Sequence, residues 1–373
     1  MDSANHIAGD WKQNGLPRWR GFNLVNMFNL VRFDGRFVED DFKWIAEWGF
    51  NFVRIPMSYL WWVKDEDRRS VDEAKLDKVD RAVELGQKYR LHVCLNFHRA
   101  PGYCINAGNP GCKDELAEPF NLWRDSEAQE AFGNHWRVFA ERYRGVSSDR
   151  LSFNLINEPP APWEIWPDDQ VKIDWKDRGM RWSDHAQVIR SAVKAIREAD
   201  PGRLIIIDGV SGGRQPCMDM IDLGVAQSCR AYFPIGVTHF KASWAGDKKS
   251  TVLPSWPDFP DPNLELWDGK LEGNKVWNRD TLDLYYQPWS RLAAKGIGVH
   301  CGEGGCLNHT PHKVALGWLR DVLDVLKSHN VGYAIWNFRG GFGILNSSRQ
   351  DVAYEDWHGD KLDRRMLELL QAF

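Results

Sequence analysis

The sequence predicts a closed (β/α)8 barrel, an α/β fold in which eight parallel strands alternate with helices. Short runs rich in β-branched and aromatic residues recur along the chain, helical patterns separate them, and the connections that follow the runs are the longer ones. An open doubly wound sheet is the structural alternative. The runs predicted as strands are 20–25, 52–55, 92–97, 151–155, 204–208, 235–239, 298–301 and 332–336.

Between these runs, apolar residues repeat at the spacing of an amphipathic helix. One predicted helix carries Ala186, Ile189, Val193 and Ile196 on a single face, and the segment 362–373 is expected to be the last helix of the ring. We find no linker or low-complexity tract, so residues 1–373 are expected to form one domain.

The connections differ in length on the two sides of the predicted barrel. Helix-to-strand links are brief and contain stop signals such as Asp200-Pro201-Gly202, whereas strand-to-helix links such as 99–125, 159–182 and 240–279 are long. In a barrel of this kind the long links meet at the C-terminal face, where active sites are built.

The composition excludes several classes of protein. The 373 residues contain 48 Lys+Arg and 52 Asp+Glu, so a net charge of −4 gives no electrostatic case for nucleic acid or anionic membranes as partners. No apolar run approaches the roughly 20 residues of a membrane-spanning helix. Residues 1–10 show no apolar signal core, so we expect a cytoplasmic protein, or a secreted one if a leader has been removed.

The seven cysteines do not form a disulfide framework, because their number is odd and most of them have apolar neighbours. Cys104 and Cys112 are the one pair that a short loop could bridge. Both a disulfide and two free thiols are compatible with the sequence at these positions.

Two carboxylic acids follow predicted strands at comparable depth. Glu158 belongs to Asn157-Glu158-Pro159 after the fourth run, and Glu303 belongs to Gly302-Glu303-Gly304 after the seventh. An acid where an apolar strand meets a loop is costly unless it is paired or used, although such acids can also cap the helix that follows. Two acids facing each other across a barrel mouth provide the groups that glycoside hydrolysis requires.

With these motifs on strands four and seven, the chain resembles the retaining glycoside hydrolases of clan A, and family 5 in particular. The resemblance covers nearly the whole chain and implies no cofactor, no metal and a carbohydrate substrate. Four further positions match the family pattern in order, and the resemblance implies that they and Asn157 bind substrate or orient the acids: Arg54, His98, His239 and Trp336.

A retaining mechanism assigns different tasks to the two acids. Glu303 would attack the anomeric carbon as an ionised nucleophile, and Glu158 would protonate the departing oxygen and later activate water. The negative charge of Glu303 would raise the pKa of Glu158 and keep it protonated. Arg54 would keep Glu303 ionised, and Asn157 would hold the sugar 2-hydroxyl.

The resemblance fails at one position. The family usually has a tyrosine just after the histidine of strand six, where it hydrogen-bonds the nucleophile, but Phe240 and Lys241 follow His239. Tyr232 and Tyr285 are the candidates for supplying this hydroxyl from elsewhere.

Most of the 20 tryptophans are expected to fill the core, but those in long loops could form platforms for sugar rings. Trp336 is the candidate beside the cleavage point. Because aromatic side chains commonly line ligand pockets, we expect about half of the loop tryptophans to contact substrate. These loop residues are Trp163, Trp166, Trp175, Trp182, Trp244, Trp256, Trp267 and Trp277.

Other functions remain open at this point. β-Glucosides, β-mannosides, β-1,4-glucans and glycolipids are all substrates that the resemblance allows. The chain could also be a carbohydrate-binding barrel with weak or no catalysis. A zinc-dependent hydrolase is a further alternative, because four potential ligands lie near strand seven, although the spacing of the histidines is short for a zinc site: Cys301, Cys306, His309 and His312.

Overall fold

The structure, a computed structural model, describes residues 16–64, 67–107, 117–165, 179–248, 252–262, 264, 266 and 275–373. Cys112 lies outside these residues, so the alternative of a disulfide with Cys104 is not tested by the structure. Three long loops expected to shape the C-terminal face, 99–125, 159–182 and 240–279, lie partly outside them.

Eight parallel strands close into a barrel in chain order, with β2 pairing with both β1 and β3. A short strand, Tyr103–Cys104, pairs antiparallel with the end of β3. The predicted (β/α)8 barrel is therefore confirmed. Its strands are β1 Arg20–Asn23, β2 Phe52–Ser58, β3 His92–Ala100, β4 Leu151–Asn154, β5 Leu204–Asp208, β6 Ala226–Ala231, β7 Val299–Gly304 and β8 Gly332–Ile335.

The long helices pack around the outside of the barrel with apolar faces turned inward, as their helical periodicity predicts. Within the described residues, none of the helices is long and apolar enough to cross a membrane. The long helices are α1 Glu39–Glu47, α2 Asp77–Lys88, α3 Ser126–Arg142, α4 Trp182–Ala199, α5 Arg279–Ala293, α6 His312–Ser328 and α7 Arg364–Gln371.

The shorter elements lie mostly in the connections. One-turn helices span Val210–Gly213 and Ile235–Thr238, and 3-10 helices span Val25–Met27, Tyr59–Trp61, Glu73–Leu76, Trp163–Ile165, Met218–Leu223 and Ser243–Lys248. Three small antiparallel pairs join Val63–Lys64 to Asp67–Val71, Phe259–Pro260 to Val276–Trp277, and Glu355–Trp357 to Asp360–Leu362.

The sixth strand is not where the sequence pattern placed it. The predicted strand 235–239 is wrong: Ile235–Thr238 is a short helix that starts after Pro234, and His239 follows its last residue. The real sixth strand, β6, has the sequence Ala-Gln-Ser-Cys-Arg-Ala. Three of its six residues, Gln227, Ser228 and Arg230, are polar and hydrogen-bonded, so the apolar and β-branched signal of a buried strand is missing.

The barrel interior changes from aromatic to polar along its axis. At the N-terminal end of the strands, Trp19 stacks on His92 with ring centroids 3.9 Å apart, and Phe52 lies 4.5 Å from His300. Burial lowers the pKa of both histidines to about 3, so they remain neutral in this aromatic layer. Nearer the C-terminal ends, the interior is filled by Arg54 and its hydrogen-bonding partners. The fold thus concentrates buried polarity at the end where the two predicted acids lie.

Trp136 of α3 connects the helical layer to the segment that carries Glu158. Its ring stacks on Phe97 at 3.9 Å, and its indole N–H donates to the carbonyl of Leu155 at 3.1 Å. We predict that Trp136→Phe lowers the free energy of unfolding by about 1–3 kcal/mol, because the buried carbonyl loses its donor. Urea unfolding followed by circular dichroism measures this change.

Trp48→Phe is the matched control for this prediction, because Trp48 is a half-buried tryptophan at the end of α1. It should lower the unfolding free energy less than Trp136→Phe does, because the half-buried Trp48 ring already lies partly in solvent. Equal effects of the two substitutions would contradict the structural role assigned to the Trp136 indole.

Candidate active site

Glu303 lies near the end of β7 and is almost completely buried, with 4% of its side chain exposed. The pairing of β7 with β6 shifts in register between Cys301 and Glu303, and such a bulge can re-aim a side chain at the edge of a barrel. One carboxylate oxygen of Glu303 accepts a hydrogen bond from Arg54 at 2.6 Å, and the other accepts one from the Tyr232 hydroxyl at 3.1 Å. Both oxygens are therefore held in place.

Arg54, in the middle of β2, is 1% exposed and uses all three guanidinium nitrogens. Besides Glu303, it donates to the side-chain oxygens of Asn154 at 3.0 Å, Asn23 at 2.9 Å and Asn157 at 2.8 Å. A guanidinium is planar and permanently charged, so these contacts fix its orientation as well as its charge. The predicted contact between Arg54 and Glu303 is present.

Glu158 has an unusual backbone conformation, with φ at 48°. A positive φ is unfavourable for a residue with a side chain and persists only where its surroundings enforce it. Here the backbone N–H of Glu158 donates to Asp208 at 2.9 Å, and its carbonyl accepts from the Tyr103 hydroxyl at 2.6 Å. The side chain remains 17% exposed, so this carboxyl, unlike that of Glu303, reaches solvent.

Arg230 of β6 joins the two acids, and sequence analysis missed it. Its Nε donates to Glu158 at 2.9 Å, and its Nη2 lies 3.5 Å from Glu303. The same Nη2 donates to Asn157 at 3.0 Å and forms a short contact with Asp208. A charged residue in a run between two buried strands was the available signal, but it was hidden by the wrong assignment of strand six.

Asn157 lies between the two arginines. Its side-chain oxygen accepts hydrogen bonds from both Arg54 and Arg230, which identifies the oxygen end of the amide. Its Nδ2 is buried and has no hydrogen-bond partner among the described residues. A buried donor without a partner is costly, so this N–H2 group is available for an acceptor on a bound ligand.

The two carboxyls differ electrostatically although they are chemically identical. The pKa of Glu158 is raised from the usual 4.5 to about 7. Burial is the largest cause, the negative charge of Glu303 adds to it, and Arg230 opposes both effects. Glu303 is directly paired with Arg54. The two carboxyls therefore differ in their surroundings: the pKa of Glu158 is raised towards neutral pH, and Glu303 is held on a buried guanidinium.

Tyr232 provides the hydroxyl that the sequence lacked after His239. It follows β6 directly, and burial together with the charge of Glu303 raises the pKa of its phenol well above the usual value, so it remains a donor. The other candidate, Tyr285, lies in α5 and packs on Phe233 with ring centroids 5.3 Å apart. Between the two candidates, Tyr232 is the one in contact with Glu303.

The remaining predicted residues surround this centre. His98 and Trp336 lie 5.5 Å apart between ring centroids, and Phe28 packs against both. Burial and the nearby arginines lower the pKa of His98 well below its usual value, and neither ring nitrogen has a partner among the described residues. His239 lies 5.1 Å from the ring of Tyr232, so it is near the site without being at a strand end.

The loop tryptophans have different environments. Trp244 is 37% exposed and lies 6.3 Å from His239, which suits a platform for a sugar. Trp277 is 2% exposed and donates to Asp261 at 2.9 Å, and Trp256 donates to a carboxylate of α6 at 2.8 Å, so both have structural contacts. Trp163 and Trp182 are half-buried, and Trp166, Trp175 and Trp267 lie outside the described residues.

The cysteines and histidines near β7 do not converge. Cys301 is buried in β7, His309 is exposed, and the Nε2 atom of His312 lies 2.9 Å from a carboxylate oxygen of Asp363. In the part of the chain that the structure describes, no three His, Cys, Asp or Glu side chains are grouped as metal ligands. This geometry gives the zinc alternative no support.

A (β/α)8 barrel with two carboxyls in different electrostatic environments, one just beyond the end of β4 and one near the end of β7, has the features of a glycoside hydrolase. The sequence profile of cellulase, glycosyl hydrolase family 5, matches residues 12–341. The chain belongs to this family, and it is therefore a glycoside hydrolase with a carbohydrate substrate.

Individual relatives agree with this assignment. Endoglucanase C of Acetivibrio thermocellus is 26% identical over 343 residues, which cover 88% of this chain and 92% of the relative. Cellodextrinase A of Ruminococcus flavefaciens is 24% identical and covers 82% and 79% of the two chains. Both relatives match most of their own length.

Solved structures show the same fold. A structure described as a glycoside hydrolase is 40% identical with a TM-score of 0.80, and the match covers 95% of this chain and 99% of that one. Cel5A of Thermotoga maritima, solved with mannotriose, is 19% identical with a TM-score of 0.68, and the match covers 96% and 99% of the two chains. At that identity, the second likeness concerns the fold alone.

The raised pKa of Glu158 predicts how this side chain affects stability. A carboxyl that holds its proton more tightly in the folded state destabilises that state once the pH rises from 4.5 through about 7. We therefore predict that Glu158→Gln is more stable relative to wild type at pH 8 than at pH 4.5, by on the order of 1–3 kcal/mol. Denaturant unfolding at the two pH values measures the difference.

Glu130→Gln is the control, because Glu130 is exposed on α3. It should behave like wild type at both pH values. A Glu158→Gln difference that does not depend on pH would contradict the raised pKa.

Proposed function

We propose that the protein hydrolyses β-linked glucosides or mannosides, with β-1,4-glucan chains as the leading substrate, and that it retains the configuration of the anomeric carbon. The observation that carries the proposal is the pair Glu158 and Glu303, held on one guanidinium in different electrostatic environments. The names of the relatives, endoglucanase and cellodextrinase, support a glucan substrate.

In the first step of the proposed mechanism, a Glu303 oxygen attacks the anomeric carbon while the bond to the departing oxygen breaks. Glu158 gives its proton to that oxygen, so a free alcohol leaves and an ester bond joins the sugar to Glu303. Tyr232 and Arg54 hold the nucleophile in position for attack.

In the second step, Glu158 accepts a proton from water as the water oxygen attacks the anomeric carbon. The ester bond breaks, and its electron pair returns to Glu303 as a carboxylate. The partnerless Nδ2 of Asn157 is suited to donate to the sugar 2-hydroxyl oxygen in both steps. Trp336, whose ring packs against those of His98 and Phe28, is suited to provide an apolar surface for the sugar ring.

A glycolipid-type β-glycosidase is the second candidate, and one observation favours it. Most of the large apolar side chains that are exposed in the described residues lie in strand-to-helix connections, which open on the catalytic face. These side chains are Leu30, Val31, Val38, Ile105, Trp244, Val252 and Leu253. An amphiphilic substrate would cover such groups, whereas a soluble glucan would leave most of them in water.

A product profile separates these possibilities. Wild type and Glu303→Gln are incubated with cello- and manno-oligosaccharides, soluble glucan and mannan, and a β-glucosylceramide in detergent, and products are separated by chromatography. We expect release of sugar from glucan substrates by wild type and none by the variant, with the first product in the β configuration by NMR. An α product would contradict retention, and turnover by the variant would contradict the role of Glu303.

The pKa of Glu158 predicts the alkaline limit of activity. The group must be protonated to act as an acid, so kcat/KM for a substrate with a poor leaving group should fall as the pH rises through about 7. Glu158→Gln should lose about 10²–10⁴-fold in kcat/KM on that substrate and much less on a dinitrophenyl glycoside, whose leaving group needs no proton. If kcat/KM of Glu158→Gln still falls as the pH rises through about 7, a group other than Glu158 is responsible for the fall.

A further inference from the structure

Arg230 is the most highly connected charged side chain near the two acids. It is 1% exposed, and its Nη1 donates to Ser228 at 2.9 Å and to a backbone carbonyl at 3.0 Å. Its Nη2 contacts Asp208 and Asn157, so one edge of the guanidinium is anchored. Among the contacts that Arg230 makes with described residues, the one from Nε to Glu158 is with a group that reaches solvent.

Two arginines, Arg54 and Arg230, face three acids at this site, so their charges balance when one acid is protonated. When Glu158 is protonated, the two positive charges of Arg54 and Arg230 face the two negative charges of Asp208 and Glu303. Ionising Glu158 at that stage leaves one uncompensated negative charge in a buried site, which is costly.

The balance is restored when Glu303 carries a sugar. Forming the ester removes the negative charge of Glu303, and transfer of the proton to the departing oxygen creates a negative charge on Glu158. The two arginines then face Asp208 and Glu158, and the buried group is neutral again. The negative charge has moved from an oxygen 3.5 Å from Arg230 to one 2.9 Å from it.

We propose that Arg230 is a positioning residue that stabilises the negative charge first on Glu303 and then on Glu158. Its main kinetic effect is on hydrolysis of the glycosyl-enzyme. The inference rests on the proposed retaining mechanism. In the first step, Arg230 and Arg54 share Glu303, so loss of Arg230 leaves the nucleophile with a partner at 2.6 Å. In the second step, Arg230 is the cation in contact with the Glu158 carboxylate, which must be ionised to take a proton from water.

Asp208 makes this function possible by holding both partners. It accepts from the backbone N–H of Glu158 and from Arg230, and its other oxygen accepts from Asn154 at 2.9 Å. Arg230 is thereby prevented from moving wholly to Glu303, and the peptide that carries Glu158 is fixed against the same carboxylate. A lysine has no planar group to span these contacts.

The test separates the two steps with 2,4-dinitrophenyl β-cellobioside, whose leaving group departs without a proton. Stopped-flow release of dinitrophenolate gives the first step as a burst and the second as the steady state. In Arg230→Gln we expect the second step to slow about ten- to hundredfold and the first to change less than about threefold, because a charged hydrogen bond to Glu158 is lost. Mass spectrometry should then find the glycosyl-enzyme accumulated on Glu303.

Two further readouts distinguish positioning from a structural role. Azide needs no general base, so it should restore steady-state turnover of Arg230→Gln and yield a β-glycosyl azide. The alkaline limb of kcat/KM for cellotetraose should move to higher pH, because Arg230 lowers the pKa of Glu158. Arg230→Lys keeps the charge and should recover part of the second step, which also tests the idea if the glutamine variant does not fold.

Arg203 provides the matched control. It is equally buried, with 1% of its side chain exposed, and it pairs with Asp200 at 2.7 Å just before β5. Arg203→Gln should lower stability without changing the ratio of the two steps. The inference is overturned if Arg230→Gln slows both steps equally, or if azide has no effect on it. An inverted product from wild type, or an active Glu303→Gln, would instead overturn the retaining mechanism and the inference with it.

Discussion

The pairing of buried charges inside the upper barrel is the constraint on which the site depends. Arg54 and Arg230 are each 1% exposed, and neither charge could be buried without compensation. Their partners come from the ends of strands that are far apart in the chain, so the two charges are neutralised only when the barrel is closed. The amide oxygen of Asn157 accepts from both arginines and links the segment after β4 to them.

This constraint explains why Glu158 can hold its unusual backbone conformation. The backbone N–H of Glu158 donates to Asp208, and its carbonyl accepts from the Tyr103 hydroxyl. These two hydrogen bonds fix the backbone on both sides of the residue. The positive φ is therefore stabilised by two hydrogen bonds, one of which goes to Asp208, the carboxylate that also binds Arg230. The result is a carboxyl that remains 17% exposed beside one that is 4% exposed, and the proposed mechanism uses the first as the acid and the second as the nucleophile.

Much of the fold and part of the site could be predicted because their signals are local. Seven of the eight predicted strands overlap the observed barrel strands, since apolar runs and stop signals mark them directly. The motifs around Glu158 and Glu303 are contiguous in the chain, so their positions after β4 and β7 follow from the strand assignment. Arg54, in an apolar run of β2, could be recognised in the same way.

Sequence alone therefore determined the closed barrel and the two acids, whose signals lie within a few residues of chain. Only the tertiary structure revealed β6, Arg230 and the contact of Tyr232 with Glu303. A strand whose side chains pair with polar groups from other strands lacks the apolar pattern by which buried strands are recognised. The polarity of β6 is compensated by Asp208, Asn157 and Glu158, partners distant in sequence, and that compensation exists only once the barrel has closed.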